Sequence, residues 1–165
     1  MKLYSIDNRP SSQVDVIVES KGHDIEVKFS FHNGFDLKLS ERITTEDEYE
    51  RKVGIWEHTC FELFLKNKHG EDYYEINLAA NTMHWNAFYF SHYRSSPLTE
   101  STDIVLKKVS ASKNHFAFSL KSTELISNYD IHPKAIIYGD HGEPIYLSNL
   151  RHPNTGPDFH VFSIT

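Results

Sequence analysis

His58, Cys60 and Glu62 fall at alternate positions of the stretch IWEHTCFELFL, residues 55–65. If that stretch is extended, Trp56, His58, Cys60, Glu62 and Phe64 share one face, and Glu57, Thr59, Phe61, Leu63 and Leu65 share the other. An imidazole, a thiol and a carboxylate in a row are informative. Polar groups on a central strand cost free energy unless they are paired or used. Three chemistries fit the row. Cys60 with His58 has the composition of an activated thiol nucleophile, although no base-orienting pattern accompanies it and a small buried filler is the simpler role for Cys60. Glu62 with a second carboxylate, Glu75, would suit glycoside hydrolysis or, with Asn77, a calcium ion. The simplest use is hydrogen bonding of the carboxylates to a cation such as Arg94 or Arg151.

The elements that must position these groups are strands. Residues 24–31 alternate cleanly, with Ile25, Val27, Phe29 and Phe31 against Asp24, Glu26, Lys28 and Ser30, which predicts a half-buried antiparallel strand. Residues 14–19 precede it across the turn SKGH, and HNG (32–34) is read as the turn to a partner strand carrying Phe35, Leu37 and Leu39. The charged segment TEDEYERK is read as a loop or a helical turn starting at a Thr cap. IWEHTCFELFL, the turn NKHGED and YYEINLAA (73–80) read as a hairpin, and HWNAFYF (84–90) as a third strand of the same sheet. On that third strand, Phe88 and Phe90 are assigned to the core, and Trp85, Ala87 and Tyr89 to the polar face. Residues 103–109 pair with 115–121, STELISNYD holds one helical turn, 134–139 pairs with 144–151 across GDHGE, and 159–165 closes the chain as a short strand.

About ten short strands at roughly ten-residue spacing predict an all-β protein, a jelly-roll β-sandwich of two antiparallel sheets in a single domain, 1–165. The 165 residues include eleven Phe, nine Tyr and two Trp, which suits a pleated, aromatic core. The net charge is −6, with Lys and Arg scattered, which argues against a nucleic-acid partner. The eleven His are dispersed without zinc spacing, and the single cysteine excludes an intrachain disulfide. Without a signal-like or membrane-spanning apolar run, the expectation is a cytoplasmic protein with no membrane partner.

If the three central strands are neighbours, their shared polar face gathers His58, Glu62, Glu75, Asn77, Trp85 and Tyr89. Arg94, at the end of the third strand, and Arg151, His152, Asp158 and His160, in a late loop, would close its rim. Carboxylates, an amide and aromatic rings on one face suit a carbohydrate or another small polar ligand: rings meet sugar faces and polar groups meet hydroxyls. A purely structural network of the same residues is the competing reading.

Four segments also carry a family resemblance: WEHTCFELFL, YYEINLAAN, HWNAFYFSHYR and LRHPNTGPDFH. Together they resemble the bacterial DOMON-like proteins, related to type 9 carbohydrate-binding modules. The residues that match are Trp56, Thr59, Cys60, Phe61 and Glu62; Tyr74, Glu75 and Asn77; Tyr93 and Arg94; and His152, Pro153, Pro157, Asp158, Phe159 and His160. The resemblance spans the chain and implies a jelly-roll fold with a non-catalytic sugar-binding role. Type 9 modules also carry calcium, but this sequence has no acidic calcium loop. Haem, which some DOMON domains bind through Met and His, would need Met83 and is not expected. No cofactor is therefore assigned. The family commonly places an aromatic ring before its final His-Pro, where this chain reads Tyr146-Leu147-Ser148-Asn149-Leu150.

Overall fold

The computed structural model describes residues 1–5, 14–32, 37, 39, 41–139, 143–150 and 158–162. In chain order its strands are β1 (Lys2–Ser5), β2 (Val14–Lys21), β3 (Asp24–Phe31), β4 (Arg42–Thr45), β5 (Glu50–Arg51), β6 (Cys60–Asn67), β7 (Tyr73–Ala79), β8 (His84–Phe90), β9 (Thr99–Glu100), β10 (Ile104–Ser112), β11 (His115–Ser122), β12 (Tyr129–Ile137) and β13 (Ile145–Ser148). Three single 3-10 turns, Glu46–Glu48, Ile55–Glu57 and Ile126–Asn128, are the helical elements among the described residues. The fold is thus nearly all β. The first of these turns begins at Thr45, whose N–H donates to the Glu48 carboxylate at 3.0 Å, a local contact that favours a turn over further strand.

The two separate sheets of a jelly-roll sandwich are not what the strand order shows. One path runs β4-β10-β11-β3-β2-β1-β13-β12-β6-β7-β8-β5, and the sheet curls into a half-barrel. β1 makes the continuity. Lys2 and Leu3 pair with Asp15 and Val14 of β2, while Tyr4 and Ser5 pair with Ser148 and Leu147 of β13. Four residues thus change partner halfway along, and each arm of the sheet grows from one half of β1.

The main core lies between the facing arms. Phe61 of β6 stacks on Phe116 of β11 at 4.4 Å and meets Phe29 of β3 at 4.8 Å. β3 buries Ile25, Val27, Phe29 and Phe31, as its alternation predicts. Its partners are β2 and β11. Gly22, at φ +62°, turns β2 into β3, a conformation that glycine adopts without steric penalty. Most of the HNG turn, and much of the partner strand expected after it, lie outside the described residues, as does the centre of the GDHGE turn.

The central hairpin starts later than its sequence suggests. Gly54 sits at φ +82° and Ile55–Glu57 wind into a 3-10 turn, so extended pairing begins at Cys60. β6 then pairs antiparallel with β7, and β7 with β8. Asp158–Phe162 form a turn and coil where the expected strand 159–165 would begin, and residues 163–165 lie outside the described residues. The Asp158–Phe162 segment covers the outer face of β6–β8, where Phe64, Tyr73, Phe88, Phe90 and Phe159 build a second apolar cluster.

Candidate functional site

A row of polar side chains crosses this outer face from strand to strand. Ser148 of β13 pairs with Lys134 of β12, Lys134 with Glu62 of β6, Glu62 with Asn77 of β7, and Asn77 with Asn86 of β8. All five are buried. Glu75 lies on the same face of β7, opposite Phe64 and Phe88. The placement follows from period two. Phe61, Leu63, Tyr74, Ile76 and Leu78 take the main core, which sends Glu62, Glu75 and Asn77 to the other side.

Burial dominates the electrostatics. It pushes the Glu62 carboxyl up to about 8, helped by the neighbouring Glu75, while the Cys60 thiol and the Lys134 ammonium pull it back. Burial raises Glu75 to about 7 against the opposing effects of Asn77 and Arg94. The Lys134 ammonium, lowered by burial to about 8, donates to Ser148 Oγ at 2.8 Å and lies 5.4 Å from the Phe159 ring centre. Cys60 Sγ donates to Glu62 Oε1 at 3.4 Å. Burial and the adjacent carboxyl push its thiol well above the ordinary range, which suits a filler and hydrogen-bond donor rather than a thiolate nucleophile.

The rim is a second network. Tyr73 Oη accepts from the Arg94 N–H at 3.0 Å and lies 2.7 Å from His160 Nδ1. With its O–H directed to Nδ1, one of the two arrangements this contact allows, the His160 proton is on Nε2. That nitrogen lies 3.6 Å from Glu75 Oε2. Burial and the Arg94 charge lower His160 to about 4, so the contact joins two neutral groups near pH 6. The Arg94 backbone takes the left-handed conformation at φ +48°, and its guanidinium binds Asp158 Oδ1 at 3.2 Å. Tyr93 Oη donates to the other oxygen of Asp158, and the His160 N–H donates to Oδ1 at 3.0 Å. Burial would raise the Asp158 carboxyl, but these bonds outweigh it and hold it below its ordinary range.

Glu62, Glu75, Arg94 and His160 open onto a cleft of about 480 Å³ with Trp56, Phe90, Tyr138 and Tyr146 among its walls. That volume is within the range of small-molecule sites. Carboxyls, a guanidinium and aromatic walls can hydrogen-bond the rim of a polar ligand and cover its apolar faces.

The structure gathers some of the expected residues and disperses others. Glu62, Glu75, Asn77, Arg94, Asp158 and His160 meet on one face. His58 does not join them: it follows the 3-10 turn and is exposed. The facing of β8 is opposite to that expected. Trp85 and Tyr89 pack with the main core, while Phe88 and Phe90 belong to the polar face. Trp85 carries the Arg51 guanidinium 4.4 Å from its ring centre. Arg151 and His152 lie outside the described residues. Sequence reasoning missed Lys134, Ser148, Asn86 and the Tyr73 hydroxyl. Lys134 had one signal: it interrupts an apolar strand, HPKAII, at the register of Glu62. Among the described residues no three His, Cys, Asp or Glu side chains converge as metal ligands.

The fold and site together define a class: an all-β half-barrel with a polar, aromatic-walled cleft on the outer face of one arm. Neither a family model nor a curated protein matches the sequence. A solved structure does resemble it: that of a "putative carbohydrate-binding protein" from Bacteroides uniformis ATCC 8492, with a TM-score of 0.60 and 11% identity over 94% of this chain and 77% of that one. At that identity the likeness shows the fold. Among the described residues no helix is long and apolar enough to cross a membrane.

Proposed function

We propose that this protein binds a carbohydrate, without catalysis, in the cleft beside Glu62 and Glu75. One observation carries the reading: two buried carboxyls and the Arg94 guanidinium face the same 480 Å³ cleft as Trp56, Phe90, Tyr138 and Tyr146. A protonated carboxyl both donates and accepts, which matches the hydroxyls on a sugar rim. Aromatic walls match the C–H faces of the ring. Tyr146 supplies a ring in the segment where the DOMON-like pattern has its late aromatic residue. The name of the Bacteroides protein points the same way, and kinship with the DOMON-like proteins is part of the same reading.

The test is calorimetric titration with mono- and oligosaccharides. Arg94 is half-exposed, so Arg94→Ala should fold and weaken binding about tenfold, the scale of one charge-assisted hydrogen bond. No heat from any sugar up to about 10 mM, with folded protein, would sink the proposal.

A second reading, that the row is only a structural network, has support in the Lys134–Ser148 bond and the register of five buried polar residues. The network is incomplete, however: Asn77 Oδ1 is buried with no hydrogen-bond partner among the described residues. A closed network would leave no such acceptor.

A further inference from the structure

The same strands carry a second cavity on their other face. Tyr74 is the neighbour of Glu75 in β7 and points the opposite way, into the end of the main core. There it meets Tyr89 of β8, ring centres 5.3 Å apart and planes at 54°, and Tyr129 of β12, 5.9 Å apart at 65°. These tilted rings line a cavity of about 550 Å³, together with Asp72, Asp103 and Glu124. Among the described residues no Lys or Arg lines it, and Asn67, His69 and Asn128 complete its wall. Lys66, near the end of β6, and Lys68, in the turn after it, are directed onto backbone carbonyls, Lys66 to Asn67 and Gly70 and Lys68 to Ser127.

We propose that this tyrosine-lined, acid-rimmed cavity binds a polyamine-class organic cation. The chemistry of the walls selects the charge. Aromatic faces attract ammonium groups through the ring quadrupole, and the carboxylates add a direct Coulombic attraction that no lining Lys or Arg offsets. The phenols report the same field. Burial is the largest influence raising Tyr74, Tyr89 and Tyr129, and Asp72, Asp103 and Glu124 add to it. The spacing of the acids selects the size. They share one cavity, yet they do not converge as a metal-ligand group, so a single small ion cannot satisfy them together. A flexible chain with several ammonium groups can, and the volume accommodates one. Tyr74 donates to Asp103 Oδ2 at 3.1 Å, which fixes one carboxylate at the wall and leaves its second oxygen for an ammonium.

The site is independent of the sugar reading, since it uses the opposite face of β7 and β8. The experiment is calorimetric titration of the full chain with spermidine at low salt. Saturable binding with a Kd below about 1 mM, weakened about tenfold in Asp103→Asn and in Tyr89→Ala, is expected. Raising the salt should weaken it further. If Asp103→Asn does not fold, Glu124→Gln serves in its place, because Glu124 is exposed. Three results would overturn the proposal: no saturation with folded protein up to about 10 mM spermidine; equal binding by wild type and the acid-to-amide variant; or equal binding of calcium chloride or tetramethylammonium, which would indicate a metal site or the rings alone. Failure of sugar titration would leave this outcome unchanged, and the reverse also holds.

Discussion

At Glu62 a carboxyl has been placed where ionising it is costly, and the consequence is measurable. Its folded-state value is near 8 and that of Glu75 near 7, against an ordinary value of 4.5. Between the ordinary and raised values the folded protein holds protons that the unfolded chain has released. Stability is therefore full at low pH and falls as pH rises through the raised values. His132 and His160, both lowered to about 4, act in the opposite direction, because the unfolded chain binds the extra protons between about 4 and 6.5. Between pH 6.5 and 8 the two glutamates lower stability as pH rises, while Lys134, itself lowered to about 8, begins to oppose them toward the upper end. Each glutamate contributes a fall of at most about 1.4 kcal/mol per pH unit. Glu62→Gln should remove the Glu62 share and flatten the profile toward pH 8. Urea denaturation at four pH values across this range measures this, and equal slopes for both proteins would refute the assignment.

The strands show what sequence alone could reveal. β3 was legible because its two faces differ in polarity. β8 was not, because both faces are buried: Trp85 and Ala87 on one side, Phe88 and Phe90 on the other. Period two fixes which residues go together but not which set faces which core. Asn86, on the Phe88 side and in register with Asn77, was the clue to its direction. His58 was misplaced because IWEHT has the composition of a strand, and only the left-handed Gly54 announces the 3-10 turn. Lys134 gave only a weak signal, for a different reason. A lysine between alternating residues reads as solvent-facing, and its burial depends on β6 and β13 flanking β12, a long-range arrangement. That arrangement predicts a coupling. Lys134 lowers the Glu62 carboxyl value, so Lys134→Met should push Glu62 higher still and move the fall in stability to higher pH. Lys134→Met also removes the ammonium that donates to the buried Ser148 Oγ, so a loss of about 1–3 kcal/mol at every pH should accompany the shift. The denaturation profile of Lys134→Met, set beside the wild type, tests both statements. An unshifted profile would mean that Lys134 and Glu62 do not sense each other.

On the scale of the molecule, two cavities lie on opposite faces of one hairpin, and the hairpin is held by its grip on the other arm. β1 joins the arms through four residues, which is a short hydrogen-bonded connection. The aromatic contacts across the core must therefore keep the half-barrel closed. Phe61 is their centre: fully buried, it meets Phe29, Phe31 and Phe116, with ring centres 4.8, 5.5 and 4.4 Å away. Its neighbours on the opposite face, Cys60 and Glu62, belong to the polar row. Phe61→Ala should cost about 3–5 kcal/mol through lost burial and the cavity left behind. In a fold of ordinary marginal stability that is a large fraction of the total. Because the loss falls on the contact between arms, β6 and β11 should open together. Hydrogen exchange in Phe61→Ala is expected to lose protection at the amides of both strands in parallel, along with a lowered denaturation midpoint. If β11 kept its protection while β6 lost it, the arms would be folding as separate units, and closure would rest on β1 instead.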